Sequence, residues 1–141
     1  MPTSAEAPTL LDTSAAVALV VADHEHHRRL AAAVRGRRLG LAGHAAFETF
    51  SVLTRLPAPL RRSPPLVRSI LEDDFPDTRF LSREATRALF GRLTELGLGG
   101  GSVYDALVGA TAVEHGLRLL TRDRRAMPVY QALQVDLEVL P

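Results

Sequence analysis

The chain has 141 residues, of which 46% are hydrophobic and 23% charged, with a formal net charge of +1, and this composition is typical of one globular domain. It contains no cysteine, which excludes disulfide bonds and thiolate metal sites. All 17 basic residues are arginine, and the lack of lysine argues against a P-loop nucleotide site.

Residues 1–8 are predicted to be a loose N-terminal tail, and residues 9–141 a single domain. The tail has no basic region and carries an acid, so it does not resemble a secretion signal. The longest apolar run, residues 15–22, is far shorter than the ~20 residues that span a bilayer. We therefore expect no membrane association and a cytoplasmic location.

The first predicted element is a short apolar strand at Thr9–Leu11, which ends at Asp12. Thr13 and Ser14 are predicted to cap a buried helix over residues 15–22. A strand, an acid and a helix in this order are typical of the βα unit of a parallel sheet.

A second helix is predicted to begin at Asp23, with the histidine-rich residues 23–27 as its start, and to run to about Val34, followed by a strand over 39–42. The histidines lack the spacing of a zinc-binding helix, so we interpret them as a solvated helix start. A third helix over 45–55 has Phe47 on its apolar face and Glu48 as its only acid. Glu48 could equally be a solvated side chain that pairs with Arg55.

The proline-rich residues 56–65 are interpreted as a connection within the domain. A helix over 65–74, a strand over 78–81 and a helix from Ser82 to about Leu96 are predicted to follow. The glycine-rich residues 98–101 come after a helix rather than a strand, which favours a loop between helices over a phosphate-binding loop.

The most apolar helix is predicted over residues 102–115, ending at Gly116, with Asp105 in its first turn. A strand at 118–121 precedes Asp123, a short helix covers 127–133, and the strictly alternating residues 135–139 predict an edge strand. The pattern predicts an α/β fold with three α/β/α layers around a small parallel sheet.

Asp12 and Asp123 each follow the carboxyl end of a predicted parallel strand, which is where open α/β sheets bind ligands. Asp105 and Glu48 lie in helices next to such strands and could converge on the same edge. Each acid also has a structural explanation: Asp12 and Asp105 could cap helices, and Asp123 could pair with neighbouring arginines.

Gathered carboxylates repel one another by about 4 kcal/mol per pair at ~4 Å and an effective dielectric of ~20, so a cluster requires a proton or a cation. Oxygen ligands alone select hard cations such as Mg²⁺ or Mn²⁺.

Four segments, residues 10–15, 46–48, 104–112 and 119–126, resemble PIN-domain ribonucleases in sequence, order and spacing, specifically the VapC-type toxins of type II toxin–antitoxin systems. The fold that the resemblance implies is PIN-like. The resemblance also implies that Asp12, Glu48, Asp105 and Asp123 are catalytic and hold Mg²⁺ or Mn²⁺. Thr13 and Thr121 match positions that support those ligands by hydrogen bonding.

The function that this resemblance implies is a metal-dependent endoribonuclease toxin that cleaves structured RNA, tRNA or rRNA, by metal-activated water. Its implied partners are the RNA substrate, a cognate antitoxin and a second copy of the chain in a homodimer. Arg122, Arg124 and Arg125 are candidates for binding RNA phosphates, although they could instead neutralise Asp123.

Two alternatives remain open at this stage. One is a catalytically degenerate PIN domain that binds RNA or protein. The other is a phosphatase with Asp12 as nucleophile, which is disfavoured because Ser14 stands where a second aspartate is needed and because lysine is missing.

Overall fold

The computed structural model describes residues 7–141, so residues 1–6 of the predicted tail lie outside the described residues. The elements are β1 (Thr9–Leu11), α1 (Thr13–Val20), α2 (His27–Val34), β2 (Leu39–Leu41), α3 (His44–Arg55), α4 (Pro64–Asp74), α5 (Arg83–Leu96), α6 (Ser102–His115), β3 (Arg118–Thr121), α7 (Met127–Ala132) and β4 (Leu137–Val139). None of these helices is both long and apolar enough to cross a membrane.

The strands form one parallel sheet in the order β2-β1-β3-β4. From β1 the chain crosses to β2 on one side and later returns to β3 on the other, so the strand order reverses between β1 and β3. Loops at the carboxyl ends of such a strand pair diverge and leave a crevice. The predicted edge strand is β4, as its alternating sequence indicates.

Alternate residues of each strand pack into opposite layers, as the pleat of a strand requires. Leu11 and Leu120 are fully buried against α1 and α2 on one face of the sheet. Leu10 and Leu119 are fully buried against α6 and α7 on the other. The predicted α/β fold with three layers is confirmed.

The predicted strand at 78–81 is wrong, because this segment forms only an isolated parallel bridge between Arg79 and Ala42. The Leu41 N–H donates to the Thr78 hydroxyl at 2.9 Å. In a regular β-ladder a backbone carbonyl would accept this hydrogen bond, whereas here a side chain does. Gly40 allows this close approach, since a Cβ at position 40 would lie 2.2 Å from the Asp77 carbonyl oxygen.

The observed starts of two helices also differ from the starts predicted from the sequence. Asp12, rather than Thr13 and Ser14, caps α1, because its carboxylate accepts from the Ala15 N–H. The second helix begins only at His27, since residues 23–26 form turns in which the His24 N–H donates to the Val21 carbonyl at 2.9 Å.

On α3 the buried residues are Ala45, Thr49 and Leu53, whereas Phe47 is 68% exposed. The apolar face that helical spacing predicts is therefore only partly inside the core. Phe47 lies on the surface and directly precedes Glu48 in the chain.

Candidate active site

A pocket of about 60 Å³ opens at the carboxyl ends of β1 and β3, where the strand order reverses. It is lined by Asp12, Thr13, Ser14, Glu48, Asp105, Val108, Asp123 and Tyr130, and we call it the acidic pocket. Its walls come from both neighbouring strand ends and from helices α1, α3, α6 and α7. Acids that are far apart in the sequence therefore share one small space.

Asp12 is the most buried acid of the pocket, with 4% of its surface exposed. Its Oδ1 accepts from the Ser14 hydroxyl at 2.6 Å and from the Ala15 N–H at 3.1 Å. Its Oδ2 accepts from the Thr121 hydroxyl and from the Tyr130 hydroxyl, the latter at 2.9 Å. Both carboxylate oxygens are thus held in fixed positions.

Burial raises the pKa of Asp12, because the charged form loses its contact with water. The hydrogen bonds from Ser14, Thr121, Ala15 and Tyr130 oppose this rise by stabilising the charged form. The surroundings of Asp12 suit a carboxylate whose charge is compensated by a further positive group.

Two hydroxyl groups connect Asp12 to the loop after β3. The Ser14 hydroxyl accepts from the Arg122 N–H at 3.0 Å, and the Thr121 hydroxyl accepts from the Asp123 N–H at 3.0 Å. Thr121 therefore lies where the resemblance implies a supporting residue. Thr13 does not make such a bond: its buried hydroxyl has no hydrogen-bond partner within residues 7–141, and Ser14 contacts Asp12 instead.

Asp105 lies in the first turn of α6 and faces the other acids. Its pKa is raised first by burial and then by the carboxylates of Asp123, Glu48 and Asp12, while Arg125 lowers it. The capping interpretation of Asp105 is not supported, because α6 begins after Gly101 without a side-chain cap. Asp105 is therefore exposed to the negative charge of all three other predicted site residues.

The remaining two acids, Glu48 and Asp123, are partly exposed. The Asp123 carboxylate accepts from the Arg125 N–H at 3.0 Å. Glu48 lies 3.8 Å from the imidazole of His44, one turn earlier on α3, rather than pairing with Arg55.

The three arginines of the loop after β3 differ in position. The Arg125 guanidinium lies 3.5 Å from Asp123, but its side chain is almost fully solvated. Arg124 is exposed, whereas Arg122 is partly buried, and its Nε has no hydrogen-bond partner in the described part of the chain. Arg124 and Arg125 are therefore the two that are most open to solvent and to a large polyanion.

The donor set of the acidic pocket suits a hard divalent cation, because it consists of carboxylate and hydroxyl oxygens. Like charge opposes such a set without a cation, and the neighbouring carboxylates add to the rise in the pKa of Asp105 that burial causes. Among residues 7–141, no three acidic or histidine side chains stand close enough together to surround one ion. The chemistry of the donors fits Mg²⁺ or Mn²⁺, while the acids stand around the pocket rather than around a single point.

Sequence reasoning missed two residues of this site, Ser14 as a partner of Asp12 and Tyr130. Tyr130 is almost fully buried on α7, and its hydroxyl donates to Asp12 Oδ2. The available signal was a tyrosine in a mainly apolar helix, since a buried tyrosine hydroxyl requires a polar partner.

Comparison with known proteins places the chain among related sequences. The model of the PIN domain family matches residues 9–131. Ribonuclease VapC27 of Mycobacterium tuberculosis (strain H37Rv) is 41% identical over 132 residues, which cover 94% of this chain and 96% of the relative. Ribonuclease VapC40 of the same species (strain CDC 1551) is 45% identical over 133 residues, with 92% and 96% covered.

Among solved structures, the chain resembles that of VapBC2 from Rickettsia felis bound to a DNA fragment from their promoter. The TM-score is 0.68 at 14% identity, and the alignment covers 96% of this chain and 100% of the other. At this identity the likeness concerns the fold.

Proposed function

Since the chain belongs to the PIN-domain family and, within it, to the VapC-type toxins, we propose that it is a divalent-metal-dependent endoribonuclease that acts on structured RNA. Mg²⁺ or Mn²⁺ is the proposed cofactor, and tRNA or rRNA the proposed substrate class. The relatives that are similar along nearly the whole chain are named as ribonucleases, which supports an RNA-cleaving toxin.

One geometric observation supports the site assignment: four acids from separate places in the fold, Asp105 among them, line a single pocket of about 60 Å³. Asp12 comes from the end of β1, Glu48 from α3 and Asp123 from the loop after β3. Four unrelated structural acids would have no reason to share one pocket against their own repulsion. A shared cationic ligand is such a reason.

The four acids are proposed to have two roles, which are binding the metal and accepting a proton. Asp12 and Asp105, whose pKa values are both raised first by burial, would bind the metal directly, with Glu48 and Asp123 completing the set. A bound Mg²⁺ or Mn²⁺ supplies a water of lowered pKa and positive charge for the phosphate oxygens. Glu48 and Asp123 are partly open to solvent, so either is placed to accept the proton of the attacking water.

RNA binding is assigned to the surface around the acidic pocket. Arg124 and Arg125 are exposed next to Asp123, where they can contact phosphates that flank the cleaved bond. Cleavage by water attack in this family leaves a 5′-phosphate and a 3′-hydroxyl, and we expect the same ends here.

A cognate antitoxin is the proposed protein partner, and an apolar groove next to the site is its proposed binding surface. The groove has a volume of about 660 Å³ and lies between α3, α4 and the segment that follows α4. It is lined by Ala46, Phe47, Phe50, Arg68, Leu71, Glu72, Phe75, Pro76, Thr78 and Phe80. Phe47 and Phe80 are 68% and 53% exposed, which is typical of a surface that a partner covers. A homodimer is expected as well.

The test is RNA cleavage by the purified chain without a partner. We expect cleavage with Mg²⁺ or Mn²⁺, none with a chelator, and a loss of more than about a hundredfold in Asp12→Asn and Asp105→Asn, because several kcal/mol of charge stabilisation is removed. Asp136→Asn is the matched control, since Asp136 is an exposed acid paired with Arg118. Cleavage that survives both site variants contradicts the proposed site. RNA binding without cleavage would favour a degenerate, binding-only domain.

A further inference from the structure

Two aromatic side chains are stacked at the edge of the acidic pocket. The imidazole of His44 and the ring of Tyr104 lie 5.0 Å apart between centroids, with 19° between their planes. Tyr104 directly precedes Asp105 on α6, and His44 lies one turn before Glu48 on α3. The stacked pair therefore lies close to two of the four acids, because α6 carries both Tyr104 and Asp105 and α3 carries both His44 and Glu48.

Core packing does not explain this pair. Tyr104 is 53% exposed, although the helix that carries it buries Ala106, Val108 and Gly109. Its hydroxyl makes no hydrogen bond within residues 7–141, in contrast to the Tyr130 hydroxyl. An aromatic ring that is held against an imidazole and still half open to solvent is a preformed stacking surface.

The negative charge of the site favours an uncharged aromatic contact with RNA. Carboxylates that gather in the pocket repel the phosphates of RNA, and the exposed Arg124 and Arg125 lie on the loop after β3 rather than on α3 or α6. A neutral aromatic face next to the acids can hold a nucleobase without opposing their charge. Base stacking on such rings is a principal way in which proteins bind unpaired RNA.

We propose that Tyr104, stacked on His44, is a platform on which an unpaired RNA base stacks next to the cleaved bond. This inference rests on the proposed function and adds the substrate feature that the site recognises, an unstacked base rather than a continuous duplex. Since every base has an aromatic face, the platform selects an unpaired nucleotide and tolerates differences in base identity.

An RNA base fits this position better than the antitoxin does. Tyr104 is not among the residues that line the apolar groove, whereas Phe47 and Phe80 are. The platform is continuous with Asp105 and Glu48 and thus with the site of chemistry.

Tyrosine fluorescence provides a direct test, because the chain has two tyrosines and no tryptophan. Tyr130 is buried against Asp12, so Tyr104 is the one that ligands in solution can reach. In the metal-free protein we expect oligoadenylate to quench the fluorescence, and an abasic ribose-phosphate oligomer of equal length and charge to leave it unchanged. Equal quenching by both oligomers, or none by either, overturns the platform.

Variants separate stacking from other roles of Tyr104. We expect Tyr104→Ala to weaken oligoadenylate binding by about tenfold, while Tyr104→Phe stays within twofold because it retains the ring. Phe90→Ala is the matched control, since Phe90 is also an exposed aromatic residue but lies on α5, which carries none of the four acids. Urea unfolding of Tyr104→Ala should match the wild type, because the ring is outside the core.

The platform and the proposed function fail in different ways. If the wild type does not cleave RNA with any divalent metal, the proposed function fails and the platform with it. If the wild type cleaves RNA and Tyr104→Ala binds and cleaves equally well, the platform alone is wrong. A Tyr104→Ala variant that is impaired only in antitoxin binding also contradicts it.

Discussion

At the residue scale, Asp12 shows how a buried carboxylate is kept in place next to other acids. Three hydroxyl groups, from Ser14, Thr121 and Tyr130, donate to it from α1, β3 and α7. Because each comes from a different element, the loss of one leaves the other two in position. Of the three donors, the Tyr130 hydroxyl can be removed with the least other change, because Tyr130→Phe retains the packing of the ring.

We predict that Tyr130→Phe lowers the free energy of unfolding by about 1–2 kcal/mol, because a buried charged acceptor loses a donor. RNA cleavage should fall as well, since Asp12 is less firmly oriented. Urea unfolding and cleavage rates measure both effects. Tyr104→Phe is the control, and its stability should not change. Equal stability of the two variants would show that the bond to Asp12 contributes nothing.

The sequence predicts Asp12, Glu48, Asp105 and Asp123 as site residues because strand ends and a family pattern identify them. It does not predict Tyr130, because nothing in the order of residues shows that α7 places a hydroxyl over β1. It also does not distinguish Ser14 from Thr13, since that choice depends on how Asp12 caps α1. Side-chain partners over long sequence distances require the packed structure.

At the scale of elements, the position of β2 depends on its contact with the segment after α4. The Asp77 N–H donates to the Leu39 carbonyl at 3.0 Å, and the Arg79 N–H donates to the Leu41 carbonyl at 3.2 Å. Gly40 lies between these two bonds, with the Asp77 backbone directly above its Cα.

We predict that Gly40→Ala destabilises the protein by about 2–3 kcal/mol, because the new methyl group forces the segment away from β2. Gly91→Ala is the matched control: position 91 lies inside α5 with open space around it, so alanine should stabilise the helix by about 0.5–1 kcal/mol. Thermal unfolding measures both changes. A Gly40→Ala variant as stable as the wild type would mean that the segment adapts without cost.

A second link between elements joins the loop before β2 to β4 across the sheet. The Arg37 guanidinium donates to both carboxylate oxygens of Glu138, at 2.7 and 3.1 Å, and this lowers the pKa of Glu138. A lowered pKa in the folded state stabilises the protein above the unfolded pKa of ~4.3 and ceases to do so as the pH falls through the folded pKa.

We therefore predict that Glu138→Gln costs about 0.5–1 kcal/mol of unfolding free energy at pH 7. The difference should begin to shrink below the unfolded pKa of ~4.3 and be lost as the pH falls through the lower pKa of the folded state. Denaturant unfolding at several pH values tests this. Glu72→Gln breaks the exposed pair between Arg68 and Glu72 and should cost less. A difference for Glu138→Gln that persists unchanged in acid would rule out the ion pair as its cause.

Periodicity and capping residues predict most helices and strands, because Ser82, Gly116 and the apolar runs act locally. The predicted strand over 78–81 is wrong because the Thr78 side chain accepts a hydrogen bond from Leu41 that a backbone carbonyl would accept in a regular β-ladder. The late start of α2 at His27 likewise depends on turns within residues 23–26, which the histidine-rich sequence does not distinguish from a helix.

At the scale of the whole molecule, the strand order determines the site. Since β1 and β3 are neighbours in a parallel sheet, their carboxyl ends bring together residues 12 and 123, and α3 and α6 add residues 48 and 105. Alternating strands and helices predict this edge as the ligand site. The distances between the acids depend on side-chain positions that topology alone does not determine.

Thermal unfolding with and without Mg²⁺ or Mn²⁺ tests most directly whether these four acids form one site for a divalent cation. The wild type should gain stability, by about 2.7 kcal/mol at a metal concentration 100 times Kd. Asp105→Asn should melt higher than the wild type without metal, because one repelling carboxylate is gone, and should gain little when metal is added. Asp136→Asn should respond to metal as the wild type does. A wild type whose melting temperature neither ion changes, or an Asp105→Asn variant that gains as much as the wild type, would contradict the claim.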